Sequence, residues 1–407
     1  MNTACLCLAL LSCGGSNANN TRAEAYYAWI MNCLTGIAAD MPQITASAEA
    51  AAKVFVQDGY SIGAWGDPAF VSEFSGRAGG IMPVSSPKPH ERQVSDSIVL
   101  VKPRQDRLEA DLRHAAGFRS PNCVVVLFAG PAAREAAKSV HAQFDWIIDT
   151  HSSEHAGLFR NARGKWVIPT ERAASMAAMW AWTGEFVGAC TRLGKMPVMW
   201  QSLSVPGSEA RAAEYRRLRF HEEKPTAIEA GKPGRDYLSE VAAIIRRIHT
   251  NERSRIASVA AAAAETVAAG GRFYVCGAGH ATHYAPDLLT DPFTFTFIGE
   301  GETGPGFERG DVLFLVGYDE HWLEPQLGPV SREGRRKHAK LAWSLSRYGA
   351  SRVAGVMADE TLIDQHWALG DAVVTVPGYD VKILPSSGVV AEAVLWMVAA
   401  EAATGLR

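Results

Sequence analysis

Residues 270–280 read GGRFYVCGAGH, and residues 310–316 read GDVLFLV. The apolar run from Phe273 to Cys276 predicts a buried β-strand, and the glycines at 277 and 279 predict a tight turn into a following helix. Residues 311–316 predict a second buried strand. Apolar strands that alternate with helical segments are typical of a parallel sheet covered on both faces. We therefore predict an α/β fold for this part of the chain.

The rest of the second half continues this alternation. Apolar periodicity predicts helices over residues 236–269, 335–348 and 389–403, and strands over residues 352–356 and 372–376.

The first half repeats the same order. Residues 22–57 are helical in pattern and broken near Met41-Pro42. Strands are predicted at 60–65, 97–101, 123–128 and 146–148, and helices at 69–77, 106–116, 132–143 and 170–193. Residues 145–149 and 371–375 fall at matching places, so the chain contains an internal repeat of about 200 residues.

This repeat predicts two domains, each with five parallel strands, give or take one. The first domain covers residues 22–203 and the second covers 235–407, with the long helical segments 22–57 and 236–269 crossing between them. Residues 204–234 are rich in charge, Gly and Pro, and predict a linker with one helix. Residues 1–21 are a separate N-terminal segment.

Composition narrows the class of ligand. The 407 residues are 47% hydrophobic and 20% charged, which excludes disorder for the bulk of the chain. Forty basic and 43 acidic residues give a net charge of −3, so no nucleic-acid partner is expected. No C-x-x-C pair occurs among the seven cysteines, which argues against a zinc ribbon or a disulfide framework. We expect a small-molecule ligand and no cofactor.

The N-terminus raises the question of compartment. Residues 1–20 read MNTACLCLALLSCGGSNANN, an apolar run that ends at Cys13 and continues into a small polar stretch. This pattern is typical of a bacterial lipoprotein signal, with a lipid anchor at Cys13, but no basic residue precedes Arg22. The alternative is a disordered tail on a cytoplasmic enzyme. Localisation therefore stays open, with an extracytoplasmic lipoprotein favoured.

The order of segments resembles the sugar isomerase (SIS) domain in tandem, as in phosphosugar isomerases. Residues 270–280 are similar to the first strand and turn of that family, residues 310–316 to its second strand, and residues 349–353 to the entry of its third. The resemblance implies two three-layer α/β/α SIS-like (flavodoxin-like) domains with parallel sheets. It also implies binding of a sugar or sugar phosphate, with aldose-ketose isomerase activity or a sensing role, and we expect a homodimer.

The chain departs from this family after the second strand. SIS domains usually carry a Ser- and Gly-rich phosphate-binding turn there, whereas this chain has Gly-Tyr-Asp-Glu-His at 317–321 and Lys-Pro-Arg-Gln-Asp at 102–106. Asp319 and Glu320 would repel a phosphate dianion by about 1 kcal/mol or more each. Asp319 would instead suit the hydroxyls or an amine of a sugar.

The turn at 277–283, GAGHATH, is a candidate ligand-binding segment. Its glycines would let the backbone approach a ligand, and the following helix N-terminus would favour an anion or a sugar hydroxyl. The candidate ligand-binding residues in this segment are Gly277, Gly279, His280 and Thr282. His283 would also bind ligand oxygens and is a candidate catalytic residue. The alternative is a turn whose glycines only permit close packing. No third metal ligand is visible at suitable spacing, so no metal is predicted.

The segment before the last helix supplies further candidates. Ser386 and Ser387 would either cap that helix or bind a sugar. Glu392 lies one turn into an apolar helix and would suit the base that isomerisation requires, unless it forms a salt bridge or lies on the surface. Glu300 and Glu302 are alternative bases. Residues 151–155, His-Ser-Ser-Glu-His, either face a ligand or form a solvated loop.

Two functions follow from these candidates. One is a sugar or sugar-phosphate binding protein that retains isomerase chemistry. The other is a non-catalytic, diverged SIS scaffold or sensor for an unphosphorylated sugar or amino sugar.

Overall fold

The computed structural model describes residues 21–85, 96–155, 157–161, 164–278, 295–298 and 306–404. Its helices are α1 (Arg22–Ala39), α2 (Met41–Gln57), α3 (Pro68–Phe74), α4 (Leu108–Ala116), α5 (Pro131–Ser139), α6 (Glu171–Arg192), α7 (Ser208–Tyr215), α8 (Lys232–Asn251), α9 (Arg253–Ala268), α10 (Glu320–Trp322), α11 (Gly328–Arg336) and α12 (Ser387–Ala402). Its strands are β1 (Ser61–Gly66), β2 (Ser97–Lys102), β3 (Cys123–Ala129), β4 (Trp146–Asp149), β5 (Gly157–Arg160), β6 (Trp166–Pro169), β7 (Phe273–Gly277), β8 (Phe295–Ile298), β9 (Val312–Val316), β10 (Lys340–Leu345), β11 (Thr361–Asp364), β12 (Ala372–Val374) and β13 (Ile383–Pro385).

Two parallel sheets form the framework. Within the described ranges, the first has four strands in the order β1-β2-β3-β4, and the second has five in the order β11-β10-β9-β7-β8. Val84 also forms a parallel bridge with Ile62 of β1, at the place that β8 takes beside β7. The two sheets therefore share one strand order, which confirms the predicted pair of α/β domains with parallel sheets.

Alternating side chains of each strand enter different cores, because successive residues point to opposite faces. Ile98 and Leu100 of β2 join a large core shared with the long helices, whereas Val99 and Val101 pack towards α4 and α5. In the second sheet, Phe314 of β9 enters the same large core. This central layer of helices, between two sheets that are each covered on their other face, gives each domain its three layers.

The long helices cross between the two halves. Helix α1 packs against α12, and α8 packs against α6. Glu185, a fully buried residue of α6, closes this contact. Its carboxylate accepts hydrogen bonds from the backbone N–H groups of Gly231 and Gly234 at 2.7 and 2.9 Å and from the Thr45 hydroxyl at 2.9 Å. It thereby satisfies backbone donors at the start of α8 that have no partner within the helix.

Two predictions of local structure are wrong. The predicted helix over 335–348 is the end of α11 followed by β10, because His338 adopts a left-handed backbone (φ 59°) and reverses the chain. Residues 352–356 form turns instead of a strand. The strand predicted at 372–376 is present as β12, but it pairs antiparallel with β13 outside the main sheet.

The true counterpart of β4 is therefore β11, and not residues 371–375. Both strands end in an Asp-x-His turn, in which the His backbone N–H donates to the aspartate at 2.9 Å for His151 and 3.0 Å for His366. Each histidine ring also contacts a carboxylate at the junction of two long helices, Asp40 at 2.8 Å and Glu252 at 3.0 Å. The repeat thus extends to individual side chains.

Two further expectations concern the linker and the membrane. The proposed linker 204–234 contains α7, and its last residues already belong to α8, which begins at Lys232. Among the described helices, none combines the length and apolar character that a membrane crossing requires. Cys13 lies outside the described residues, so the lipid anchor stays a prediction.

Candidate functional site

The predicted site residues that the structure describes lie beyond the carboxyl ends of the second sheet. Gly277 ends β7, beside Val316 of β9. Asp319 follows β9, and Ser386 and Ser387 begin α12. The other candidates lie outside the described residues and stay predictions. They are Gly279, His280, Thr282 and His283, together with the alternative bases Glu300 and Glu302.

A cavity of about 480 Å³ opens at this end of the sheet. Its lining includes three tryptophans, Trp200, Trp322 and Trp367, together with Tyr318 and Asp319. Its polar lining also includes Arg77, Asp371 and Gln326, and we call this cavity the aromatic cleft. Its volume lies within the range of small-molecule sites.

Asp319 is a buried carboxylate in the lining of the aromatic cleft. It accepts hydrogen bonds from the Ser204 hydroxyl at 2.7 Å, from the backbone N–H of His321 at 3.0 Å and from the Tyr348 hydroxyl. Burial and the bond to Asp319 hold the pKa of Tyr348 well above its usual value of 10, so this hydroxyl remains a donor. Within the described residues, no Lys or Arg forms an ion pair with Asp319. The Asp319 carboxylate is therefore stabilised by uncharged hydroxyl and backbone N–H donors.

Arg77 reaches from the end of α3, in the first half, to the start of α12 in the second. Its guanidinium lies 3.2 Å from Asp371, donates to the Ser387 hydroxyl at 2.6 Å and pairs with Glu73 at 3.3 Å. Burial alone would lower the pKa of Arg77, but Glu73 and the other neighbouring acids raise it. Arg77 thus remains a cation shared between two carboxylates.

The side chain of Asp371, the residue before β12, lies at the N-terminus of α12. One of its oxygens accepts the backbone N–H groups of Ser386 and Ser387 at 2.9 and 2.7 Å, and the other accepts the Ser387 hydroxyl at 2.6 Å. Both serines are fully buried. The serine hydroxyls therefore donate to Asp371 and do not cap α12 as predicted, because the Asp371 carboxylate accepts the helix N–H groups instead. Binding of a ligand by these serines stays a prediction.

Glu392 lines a second, much smaller cavity of about 20 Å³, which has room for about one water molecule. Burial raises the pKa of this carboxyl from 4.5 to about 7, although Arg172, 3.9 Å away, and the Trp396 indole N–H both oppose the shift. Tyr318 lines both this cavity and the aromatic cleft. Glu392 is therefore a proton acceptor poised near neutral pH, next to the larger cavity.

The corresponding place in the first half is filled by its own side chains. Lys102, at the end of β2, pairs with Glu171 of α6 at 3.0 Å, and the Ser152 hydroxyl donates to Glu171 at 2.6 Å. A Cβ atom at Gly130 would lie 1.9 Å from the Ser152 oxygen, so this loop is packed tightly.

The histidine cluster of residues 151–155 serves local contacts. His151 pairs with Asp40, and the ring of His155 stacks on Trp166 with centroids 4.3 Å apart. One ligand atom each of Asp40, Asp149 and His151 lie within 4.8 Å of one another, a spacing that could hold a metal. Asp149, however, already binds Arg134 at 2.7 Å, and the Asp-x-His turn recurs in the second half with the same structural contacts.

Sequence reasoning missed the tryptophans of the aromatic cleft and Arg77. Trp200, Trp322 and Trp367 come from three separate segments of the chain, so no spacing along the sequence groups them. Arg77 came at the end of a predicted helix, where a basic residue is common. The available signal was that Trp322 lies within an otherwise polar segment next to Asp319.

One segment of the chain matches the model of a known family. Residues 236–295 match the family model described as the SIS domain. A "UPF0309 protein" of Streptomyces griseus is 29% identical, over 39% of this chain and 77% of its own length. The C-terminal domain of glucosamine-fructose-6-phosphate aminotransferase from Francisella tularensis has a TM-score of 0.48 and 10% identity, covering 92% of this chain and 95% of that one.

Proposed function

We propose that this SIS-like protein binds a carbohydrate derivative in the aromatic cleft. The observation that carries the proposal is a cavity of about 480 Å³ that combines three tryptophans with buried carboxylates at the carboxyl ends of a parallel sheet. Sugars present apolar C–H faces that pack on aromatic rings, and hydroxyls that need polar partners. In open α/β sheets, ligands bind at this end.

The polar lining also includes an acceptor that lacks a partner. The Gln326 side-chain oxygen is buried and has no hydrogen-bond partner within the described part of the chain. Buried acceptors are normally satisfied, because leaving one unpaired costs about 1–3 kcal/mol. A hydroxyl or amine of a bound sugar would supply the missing donor.

Both halves of the chain contribute to the proposed site. Arg77 comes from the domain that we propose to span residues 22–203, and Tyr318 and Asp319 come from the proposed domain 235–407. Ser204 begins the proposed linker, 204–234. Binding should therefore require the whole chain, and neither half alone should bind.

Isomerisation is a second candidate function, supported by Glu392. An aldose-ketose isomerase removes the proton from the carbon beside a carbonyl and returns it to the neighbouring carbon. A carboxylate with a pKa of about 7 suits this transfer, because it can accept and release a proton near neutral pH. Without this chemistry, the protein is a sensor or scaffold that binds the sugar unchanged.

Ligand binding is tested by thermal unfolding in the presence of sugars, amino sugars and sugar phosphates. A ligand at about 100 times its dissociation constant should stabilise the protein by about 2.7 kcal/mol. Trp322→Ala should abolish this shift, whereas Trp166→Ala should retain it, because Trp166 stacks on His155 in the first half. Equal shifts in both variants would remove the aromatic cleft as the binding site.

Isomerase activity is tested in deuterated water. Exchange of the sugar C2 proton, followed by NMR, should occur with the wild type and be lost in Glu392→Gln. Binding without exchange would favour the non-catalytic function.

A further inference from the structure

Anionic ligands of α/β proteins often bind at a helix N-terminus, where free backbone N–H groups point outward. In this protein the donors at the start of α12 already bind Asp371 at 2.7 and 2.9 Å. The Ser387 hydroxyl also donates to Asp371, at 2.6 Å. The chain's own carboxylate thus occupies the donors that an anion could otherwise bind at this helix N-terminus.

The charges lining and adjoining the aromatic cleft also disfavour an anion. Arg77 is its buried cation within the described residues, and it is already shared by Asp371 and Glu73. Asp319 adds a further carboxylate, 3% exposed, that hydroxyls and backbone N–H groups stabilise. A phosphate dianion would enter a region in which carboxylates outnumber cations.

In the first half, the start of the corresponding helix, α6, is also occupied by a carboxylate of the chain itself. Glu171, the first residue of α6, pairs there with Lys102 at 3.0 Å. The start of the closing helix therefore carries a buried carboxylate and a buried cation in both halves, which leaves no free cation there for a phosphate among the described residues.

We propose that the aromatic cleft selects sugars without a phosphate group, either uncharged or carrying an amine, and that Asp371 is the residue that sets this selectivity. The inference rests on the proposed function, since it concerns the ligand of the same cleft. An amine or hydroxyl suits the unpaired oxygen of Gln326 and the charge of Asp319, whereas a phosphate offers neither a donor nor a compatible charge.

Matched pairs of ligands test the selectivity. Glucose, glucosamine and the 6-phosphate of each are titrated separately into the wild-type full-length chain, and their affinities are measured by calorimetry. Each unphosphorylated sugar that binds should bind at least tenfold more tightly than its phosphate. Asp371→Asn keeps the shape of the side chain and removes its charge, so it should reduce this ratio at least threefold. Asp359→Asn, an exposed control outside the cleft lining, should leave the ratio unchanged.

Tighter binding of either 6-phosphate by the wild type would overturn the proposal, as would an Asp371→Asn ratio equal to that of the wild type. If the wild type binds neither member of any pair, the proposed function fails.

The effect of inorganic phosphate on the unfolding temperature tests the role of Asp371 separately. Asp371→Ala frees the donors of α12 and leaves Arg77 beside them, so phosphate should raise the unfolding temperature of this variant and not that of the wild type. An equal effect of phosphate on both proteins would show that Asp371 does not close the site. Circular dichroism of the variants establishes that they fold.

Discussion

The substitution Glu392→Gln tests the electrostatic environment next to the aromatic cleft. Gln keeps the size of the side chain and an oxygen that can accept from the Trp396 indole, but it does not titrate. Any pH-dependent difference in stability between the wild type and this variant therefore reports on the Glu392 carboxyl.

The sign follows from the direction of the pKa shift. Burial raises the pKa of Glu392 from 4.5 to about 7, so between these values the folded protein binds this proton more readily than the unfolded chain does. Stability from this group is fully present below pH 4.5 and is lost as the pH rises through about 7.

The magnitude follows from the same two values. A tenfold difference in dissociation constant corresponds to about 1.4 kcal/mol, so the complete loss amounts to about 3.4 kcal/mol. About 2.5 kcal/mol of this falls between pH 5 and pH 8. The free energy of unfolding of the wild type, minus that of Glu392→Gln, should decrease by about 2.5 kcal/mol over this range.

Urea unfolding of both proteins at pH 5, 6, 7 and 8, followed by tryptophan fluorescence, measures this difference. The control pair is wild type and Glu265→Gln, an exposed residue of α9 whose difference should stay constant within about 0.5 kcal/mol. A Glu392→Gln difference that is equally flat would refute the argument that burial holds this carboxyl near neutrality.

Other contacts give further predictions. Glu185→Ala should cost about 4 kcal/mol of unfolding free energy, because three buried donors lose their acceptor, and Glu185→Gln should cost less, both measured by urea unfolding. Lys102→Met should cost about 3–5 kcal/mol by leaving Glu171 unpaired, and the double variant Lys102→Met/Glu171→Leu should recover most of the loss; a further loss in the double variant would contradict this. Cys13→Ser should release the protein from the membrane fraction of its host, and a wild type already soluble with Met1 intact would contradict the lipid anchor.

The general architecture could be predicted from the sequence because buried parallel strands leave a strong local pattern. The runs at 270–280 and 310–316 contain β7 and β9, and the break at Met41-Pro42 separates α1 from α2. The errors arose where local pattern was ambiguous. Residues 340–345, KLAWSL, follow a charged helical segment without a Gly or Pro break, so the start of β10 left no local signal.

The site was only partly predictable for a related reason. Asp319 was predicted from its place after a strand, and it lines the cleft. Trp200 and Trp322 lie more than 100 residues apart in the sequence, and only the tertiary fold brings them together. The partnership of Arg77 with Asp371 spans the two halves of the chain, so no motif within either half encodes it.

A crystal structure of the complex with the sugar that most stabilises the protein would show whether the ligand binds in the aromatic cleft. We expect a sugar ring within van der Waals contact, about 4 Å, of Trp200 or Trp322, with a hydroxyl or amine hydrogen-bonded to Gln326. A sugar bound elsewhere, with the aromatic cleft empty, would contradict it.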